Sequence, residues 1–206
     1  MNSHPLILTT AEVRAVLNGT KTQHRVRVKF TRPSPWQIMD EGDDGKPWPF
    51  FQDEFGDYHP MHCPFGVPGD RLWVRETFAE CGRQVVYRAD NPDGYPGANF
   101  QPWRSPLAMP RHLSRLTLEV ESVRVQRLQD ISEEDARAEG VCSARPQFLS
   151  AAEAEDTEDP RIVGYPEGSF ARDNLRRKWS MKHGADSWSR NDWVFALTFK
   201  RAEGKR

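Results

Sequence analysis

Hydrophobic residues near the start of the chain recur at the spacing of a helix. Val13, Val16 and Leu17 stand at positions i, i+3 and i+4, which predicts one apolar face on a short helix. Thr10 is the expected N-cap, because its hydroxyl can accept a hydrogen bond from a backbone N–H of the first turn. Gly19 can adopt the left-handed conformation that ends a helix, so this first helix is predicted to stop there.

Alternation of hydrophobic and polar residues predicts the strands. Residues 25–29 alternate basic and apolar, which indicates a half-buried strand with Arg25, Arg27 and Lys29 on a basic outer face. Other runs rich in β-branched and aromatic residues predict strands at 71–78, 84–88, 116–125 and 193–199. The last of these is apolar at nearly every position, which is typical of a buried strand.

The strand predicted at 116–125 changes phase in its middle. Hydrophobic residues alternate with polar ones from Leu116 to Val120, but the pattern resumes at Val123 rather than one residue earlier. A shift of one residue turns every later side chain to the opposite face of a sheet. A bulge or turn is therefore expected at residues 121–122.

Two further helices are predicted in the second half of the chain. Ser132 is an expected N-cap followed by three acidic first-turn residues, and Gly140 ends this helix about two turns later. Residues from Phe170 to about Met181 predict a helix with a basic polar face, formed by Arg172, Arg176, Arg177 and Lys178. Short helices and five or six short strands without regular βαβ alternation predict an α+β fold or a small barrel.

Composition and charge exclude several classes of protein. The 206 residues include 29 Lys and Arg against 30 Asp and Glu, and this balance excludes a uniformly basic, histone-like binder. No apolar run reaches the roughly 20 residues that cross a bilayer, and three cysteines are too few for a disulfide framework. The N-terminus lacks the features of a secretory signal, so we expect a cytoplasmic protein with no membrane partner.

Proline marks the predicted insertions in what we expect to be a single domain covering residues 1–206. Twelve of the 16 prolines fall between Pro33 and Pro110. They define two long loops, at about 31–68 and 91–110, and a segment rich in Glu and Asp predicts a solvated acidic loop at about 150–161. Tryptophan and phenylalanine within the first loop argue against complete disorder.

Two polar positions at predicted helix ends could carry chemistry. Lys21 follows the first helix next to Thr22, and a lysine whose pKa is lowered by its surroundings can activate a neighbouring hydroxyl. A solvated basic turn is the other interpretation of the same residues. Glu139 lies at the negative end of a helix dipole, where a carboxylate is unfavourable, which hints at a functional role although many surface helices tolerate it.

Two wider patterns concern metals and nucleic acids. His59, His62 and Cys63 are residue types that bind zinc, but their spacing matches no tight zinc motif, so neither a metal nor another cofactor is predicted. Basic residues on one strand and one helix, with tryptophan and tyrosine in the loops, suit phosphates and unpaired bases. An ordinary charged surface over a tryptophan-anchored core would have the same composition.

Four motifs taken together resemble the ASCH-domain family of the PUA-like superfamily, in particular its longer branch in phages and prophages. They are Gly19-x-Lys21 after a short helix, residues 68–76, residues 131–140 and the final strand at 193–199. The resemblance implies a small bent β-barrel with short flanking helices, and relatives that handle RNA, modified bases or nucleosides. Some members are amidohydrolases that deacetylate N4-acetylcytidine, and others are described as ribonucleases.

The resemblance also implies a set of site residues. The family signature, Gly-x-Lys-x-x-Thr-x-Arg with a later glutamate, corresponds to Lys21 and Glu139 in one cleft. His24 and Val26 stand where the family has threonine and arginine. Hydrolysis would then need a shifted loop that brings in Thr22, or a water activated by the lysine and the glutamate with His24 as proton carrier. The remaining predicted binding residues are Gly19, Arg25, Arg27 and Arg75.

The leading hypothesis is a hydrolase directed at a nucleic acid or nucleoside, which removes the acyl group from an N4-acylated cytidine. Lys21 would be the base, Glu139 would orient water or substrate, and a basic rim would hold any phosphate. The alternative is a non-catalytic module that binds RNA or a modified base, or a ribonuclease. A third hypothesis is an interaction module with a vestigial cleft. RNA, DNA or a modified nucleoside is the expected partner.

Overall fold

Mixed α and β structure surrounds a central sheet. The computed structural model describes residues 2–28, 37–39, 48–52, 55–60, 62–91, 96–141 and 170–202. The strands are β1 (Ser3–Ile7), β2 (Gln23–Arg27), β3 (Gln37–Met39), β4 (Trp48–Gln52), β5 (Tyr58–Pro60), β6 (Arg71–Arg75), β7 (Phe78–Cys81), β8 (Gln84–Tyr87), β9 (Thr117–Arg127) and β10 (Trp193–Arg201). The α-helices are α1 (Thr10–Leu17), α2 (Glu133–Ala138) and α3 (Ala171–His183).

Five strands form the central sheet in the order β1-β6-β9-β10-β2. β1 runs parallel to β6, and the other neighbours are antiparallel. Among the described strands β1 and β2 are the two edges, so these strands form an open sheet and not a closed barrel. The predicted mixture of α and β elements is confirmed, and no helix within the described ranges is long and apolar enough to cross a bilayer.

The phase change in β9 is a β-bulge, as predicted. Thr198 on β10 pairs with Ser122, but the next residue, Phe199, pairs with Val120. Glu121 is therefore the extra residue, and Val120 and Val125 both remain buried despite their odd spacing. The bulge keeps the apolar face of β9 turned toward the core along its whole length.

The main core lies between the central sheet and α1. Its buried side chains come from four strands and one helix, and include Leu6, Val13, Val16, Leu72, Val74, Leu118, Val120, Phe195, Leu197 and Phe199. Val13 and Val16 of the predicted apolar face of α1 are almost fully buried, and Leu17 is partly buried against the same core. Burial of this face holds α1 against the sheet and so fixes where the chain emerges at Gly19.

The N-cap of α1 is Thr9, so the prediction of Thr10 was wrong by one residue. The Thr9 hydroxyl accepts a hydrogen bond from the backbone N–H of Glu12 at 3.3 Å. The Glu12 carboxylate in turn accepts one from the backbone N–H of Thr9 at 2.9 Å. This reciprocal capping box requires a carboxylate three residues after the cap, and Glu12 has that spacing from Thr9 only.

Several other predicted elements differ in their boundaries. The strand predicted at 71–78 is two strands, because β6 ends at Arg75 and Phe78 begins β7, which forms a hairpin with β8. Within the predicted loop at 31–68, β3, β4 and β5 form a separate three-stranded sheet. Ser132 caps α2 as predicted, accepting a hydrogen bond from the backbone N–H of Asp135 at 3.0 Å. Lys29 and the predicted acidic loop lie outside the described residues.

Candidate functional site

The C-terminal ends of α1 and α2 meet and bring two predicted site residues together. Both helices end at a glycine with a φ of +74°, Gly19 after α1 and Gly140 after α2. Lys21 follows the first glycine and Glu139 precedes the second, and these two residues form an isolated antiparallel β-bridge. The two helix ends are thus joined through their backbones, which aligns the Lys21 and Glu139 side chains with each other.

The Lys21 ammonium group is fully buried and makes three hydrogen bonds. Its side chain is 0% exposed. Nζ donates to the carboxylate oxygen Oε2 of Glu139 at 2.7 Å, to the backbone oxygen of Glu139 at 3.0 Å and to the backbone oxygen of Gln23 at 2.7 Å. An ammonium has three N–H donors, so every one of them has an acceptor. Lys21 also neutralises the carbonyl end of α2, which explains how a carboxylate is tolerated there.

Arg25 is buried and belongs to the same ionic network. Its side chain is 1% exposed, so the prediction that it lies on a basic outer face was wrong. One guanidinium nitrogen donates to Glu139 Oε1 at 3.0 Å, and the other donates to Asp135 Oδ2 at 2.8 Å. Gln23 completes the network by donating from Nε2 to Asp135 Oδ1 at 2.8 Å. A buried guanidinium requires such partners, since its desolvation is costly.

Both oxygens of Glu139 are occupied, one by Lys21 and one by Arg25. Burial by itself raises the pKa of this carboxyl, but the neighbouring Lys21 ammonium and Arg25 guanidinium reverse the effect, and the net pKa is lowered. Glu139 is therefore an anion at neutral pH. Two cations and two carboxylates, counting Asp135, balance one another within this network.

A small cleft opens beside this network, between α1, β2, α2 and α3. Its open space has a volume of about 30 Å³, which is enough for one water molecule. Ligand pockets for drug-sized molecules measure roughly 300–1,000 Å³, so this cleft is too small to enclose a whole base. The lining side chains are Glu12, His24, Arg25, Glu139, Leu175, Lys178, Trp179, Lys182 and His183.

His24 is the predicted site residue that faces this cleft as a neutral group. It is only 6% exposed. Burial is the main reason why its pKa falls from the ordinary 6.5 to about 4, and the Lys21 ammonium nearby lowers it further. The imidazole is therefore neutral at pH 7 and keeps a lone pair on one nitrogen. Nδ1 is buried and has no hydrogen-bond partner among the residues that the structure describes.

Glu12 and Lys178 form an ion pair that links α1 to α3 across the cleft. Lys178 Nζ lies 3.3 Å from Glu12 Oε1, while the other carboxylate oxygen caps α1 through Thr9. Burial alone would raise the pKa of Glu12, but Lys178, Lys21 and the Thr9 backbone N–H lower it to about 2. Glu12 lies in the first turn of α1, where a carboxylate is common for local reasons, and only the tertiary structure shows that it also lines the cleft.

The remaining predicted residues have different locations. The Thr22 side chain is exposed, and Gly19 contributes the turn rather than a lining group. Arg27 is about one third exposed and lies 3.6 Å from Asp192. Arg75 lies on β6, which β9 and β10 separate from β2; it donates to the backbone oxygen of Leu107 and does not line the cleft.

Sequence reasoning missed the contribution of α3 to the cleft. Leu175 and Trp179 are spaced by four residues and both are buried, as expected for the apolar face of a helix. Lys178 and Lys182 share the same four-residue spacing and line the mouth of the cleft. The available signal was a tryptophan flanked by basic residues on an amphipathic helix, but no local pattern shows which surface such a helix covers.

The described residues contain no group of three or more His, Cys, Asp or Glu side chains placed to hold a metal ion. His59 and His62 are exposed, whereas Cys63 is buried. Burial raises the pKa of the Cys63 thiol to about 11, so it carries no thiolate at neutral pH.

Gly140 provides a test of the close approach between the two helix ends. A Cβ at this position would lie 2.9 Å from the Cβ atoms of both Ala15 and Lys21. We expect Gly140→Ala to lower the free energy of unfolding by about 2–4 kcal/mol, from overpacking of about 1–3 kcal/mol plus left-handed strain of about 1 kcal/mol. Chemical denaturation measures the loss.

Gly19→Ala is the matched control, because Gly19 has the same φ of +74° but nothing within 4 Å of the added Cβ. Gly19→Ala should therefore lower the free energy of unfolding only by the left-handed strain, about 1 kcal/mol. Equal losses for the two variants would contradict the close packing of Gly140 on Lys21.

The candidate site is thus a small cleft whose floor is the Lys21–Glu139–Arg25 network, whose neutral polar wall is His24 and whose outer wall is α3. Comparison of the chain with family models, with curated proteins and with solved structures finds no match.

Proposed function

We propose that this chain has a PUA-like, ASCH-type fold and acts on a nucleobase or nucleoside at the Lys21–Glu139 cleft. One observation carries the proposal. His24 and Glu139 line one cleft, and Lys21 lies buried directly behind Glu139, at 2.7 Å from its carboxylate, although Lys21 and Glu139 are 118 residues apart in the chain. Lys21 and Glu139 match the family signature, and His24 stands where that signature has threonine. Burying such an ion pair costs free energy that hydrophobic residues would not require, which favours a functional reason for it.

The proposed reaction is hydrolysis of the amide bond in an N4-acylated cytidine. Water adds to the acyl carbon, the bond from that carbon to N4 breaks, and a proton passes from the water to the leaving amine. The products are a carboxylic acid and cytidine. The hydrolysis as written consumes only water and the substrate, and one side chain that carries the proton is sufficient.

The geometry favours His24 over Lys21 as the proton carrier. All three Lys21 N–H groups already donate to protein acceptors, and the buried Lys21 side chain does not line the cleft, so it is not directed at a bound substrate. His24 is neutral at pH 7 because burial lowers its pKa to about 4. In this mechanism Lys21 and Arg25 hold the Glu139 carboxylate in place beside the imidazole.

Incubation with N4-acetylcytidine tests the proposal. The parent protein should release cytidine, measured by chromatography, and His24→Asn should lower kcat by at least about 100-fold because the proton carrier is lost. His112→Asn is the matched control, since His112 is exposed and does not line the cleft, and it should retain the parent rate. Absence of release by the parent protein would refute the hydrolase.

A non-catalytic nucleic-acid reader is the second candidate, and the saturated Lys21 ammonium favours it. A lysine with three fixed acceptors stabilises a scaffold, while the exposed Lys182 at the cleft mouth can contact a phosphate. Binding to a single-stranded oligonucleotide should then weaken as salt rises, and Lys182→Glu should weaken it further. Lys200→Glu, at an exposed lysine on β10 that does not line the cleft, is the control. Salt-independent binding would contradict this function.

A further inference from the structure

Three buried polar atoms of residues that line the cleft have no hydrogen-bond partner among the described residues: Nδ1 of His24, Nε1 of Trp179 and Nε of Arg25. The Arg25 guanidinium is anchored through its other two nitrogens, which leaves Nδ1 of His24 and Nε1 of Trp179 as the two neutral atoms without a partner, each on a residue that is 6% exposed. A buried donor or acceptor left unpaired costs about 1–3 kcal/mol, so such atoms in a folded protein normally meet a water or a ligand. Both side chains belong to the same cleft, which makes a shared partner the simplest explanation.

The chemistry of the two atoms is complementary. The indole Nε1 of Trp179 can only donate a hydrogen bond. Since the His24 imidazole is neutral at pH 7, its Nδ1 can accept one when the ring proton is on Nε2. A partner that fits both atoms must accept from the tryptophan and donate to the histidine. Water does both, and the open space of about 30 Å³ holds one water molecule.

The two carboxylates that line the cleft are already paired with cations. Glu139 is occupied by Lys21 and Arg25, and Glu12 is paired with Lys178. Within the described part of the chain, no unpaired carboxylate therefore lines the interior of the cleft to attract a cation.

Several neighbouring side chains pack against the Trp179 ring. It packs with Leu128 and Val194 in a small buried cluster. The His183 ring also packs against it, with ring centroids 4.3 Å apart. A donor fixed in this way can orient a bound molecule at little further entropic cost.

We infer that one water molecule is bound between Trp179 Nε1 and His24 Nδ1, and, resting on the proposed function, that this water is the nucleophile. Its oxygen accepts from the indole N–H and adds to the acyl carbon. Its proton passes to His24 Nδ1 and from there to the N4 atom, as the bond from the acyl carbon to N4 breaks. Trp179 positions the water, and His24 carries the proton.

A high-resolution crystal structure tests the water site by itself. The parent protein should show a water oxygen within about 2.7–3.2 Å of both nitrogens. Trp179→Phe keeps an aromatic ring but removes the donor, and in its structure that water should be missing or displaced. A parent structure with no water bridging the two nitrogens would overturn the inference whether or not the protein is a hydrolase.

Kinetics on N4-acetylcytidine test the role of the water. Trp179→Phe should lower kcat by about 100-fold with little change in KM, because a misplaced nucleophile affects the reaction step and not substrate binding. Trp188→Phe is the control, since Trp188 packs against the same cluster but does not line the cleft. If the parent protein turns over the substrate and Trp179→Phe has the same kcat, the nucleophilic role of the water is wrong, whereas the proposed hydrolase is not contradicted. If the crystal structure shows the bridging water but the parent protein does not turn over N4-acetylcytidine, the proposed hydrolase and the nucleophilic role of the water are both wrong. The water site itself is then still correct.

Discussion

Glu139→Gln should lower the free energy of unfolding by about 3–5 kcal/mol, one of the largest losses expected for any conservative substitution in this protein. The amide keeps the size of the side chain but removes its charge. The Lys21 ammonium, which is 0% exposed, then has no anionic partner, and Arg25 retains only Asp135. An uncompensated charge in a buried site is what makes the loss large, rather than the value of one hydrogen bond. Urea or guanidinium denaturation of the two proteins measures the difference.

Glu119→Gln is the control for this prediction. Glu119 is also paired with a lysine, at 3.5 Å from Lys200, but both side chains are partly exposed. Exposed pairs contribute about 0–1 kcal/mol, so this variant should be close to the parent. Combining Glu139→Gln with Lys21→Met should recover part of the stability, because the unpaired ammonium is removed. Equal losses for Glu139→Gln and Glu119→Gln would show that the buried network does not carry the stability assigned to it.

The local pattern of the sequence was sufficient for elements whose cause is local. The bulge at Glu121 followed from a phase change in hydrophobic residues, and the structure has it because Val120 and Val125 must both face the core. The limits of α2 followed from Ser132 and Gly140, since cap and stop signals act within a few residues. The split of residues 71–78 into two strands was not predicted, because nothing in the local pattern requires the chain to leave the sheet after Arg75.

The candidate site shows where sequence reasoning ends. Lys21 and Glu139 could be paired only through the family resemblance, and the structure places them 2.7 Å apart. Arg25 was expected to be exposed because a charged residue in an alternating strand usually faces solvent. Its burial depends on Asp135, which lies 110 residues later in the chain, and no local pattern reveals that contact. For the same reason Trp179 was not recognised as a cleft residue.

Acidification should destabilise the protein in two steps, and the first is due to His24. The folded pKa of His24 is about 4, below its ordinary value of 6.5, so between these pH values the unfolded chain binds a proton that the folded protein does not. The contribution of His24 to the free energy of unfolding is therefore constant above pH 6.5 and decreases as the pH falls toward 4. The gap between the two pKa values corresponds to roughly 3 kcal/mol.

Glu12 produces the second step, at lower pH. Its folded pKa is about 2 against an ordinary 4.5, so the carboxylate stabilises the folded protein above pH 4.5. That contribution, again roughly 3 kcal/mol, is lost as pH falls from 4.5 toward 2. The lowered pKa values of Glu139 and Asp135 act in the same direction. The free energy of unfolding should thus fall from pH 6.5 downward, and fall again below pH 4.5.

Denaturation of the parent protein and of His24→Gln across pH 4–8 separates the first step from the second. The glutamine has no proton to gain, so the fall in stability between pH 6.5 and 4.5 should largely disappear in this variant. His112→Gln is the control, because His112 is exposed and that variant should retain the parent profile. Parallel profiles for the parent protein and His24→Gln would contradict a neutral, buried His24. That outcome would also remove His24 as the acceptor for the proposed water, since a protonated imidazole has no lone pair to offer.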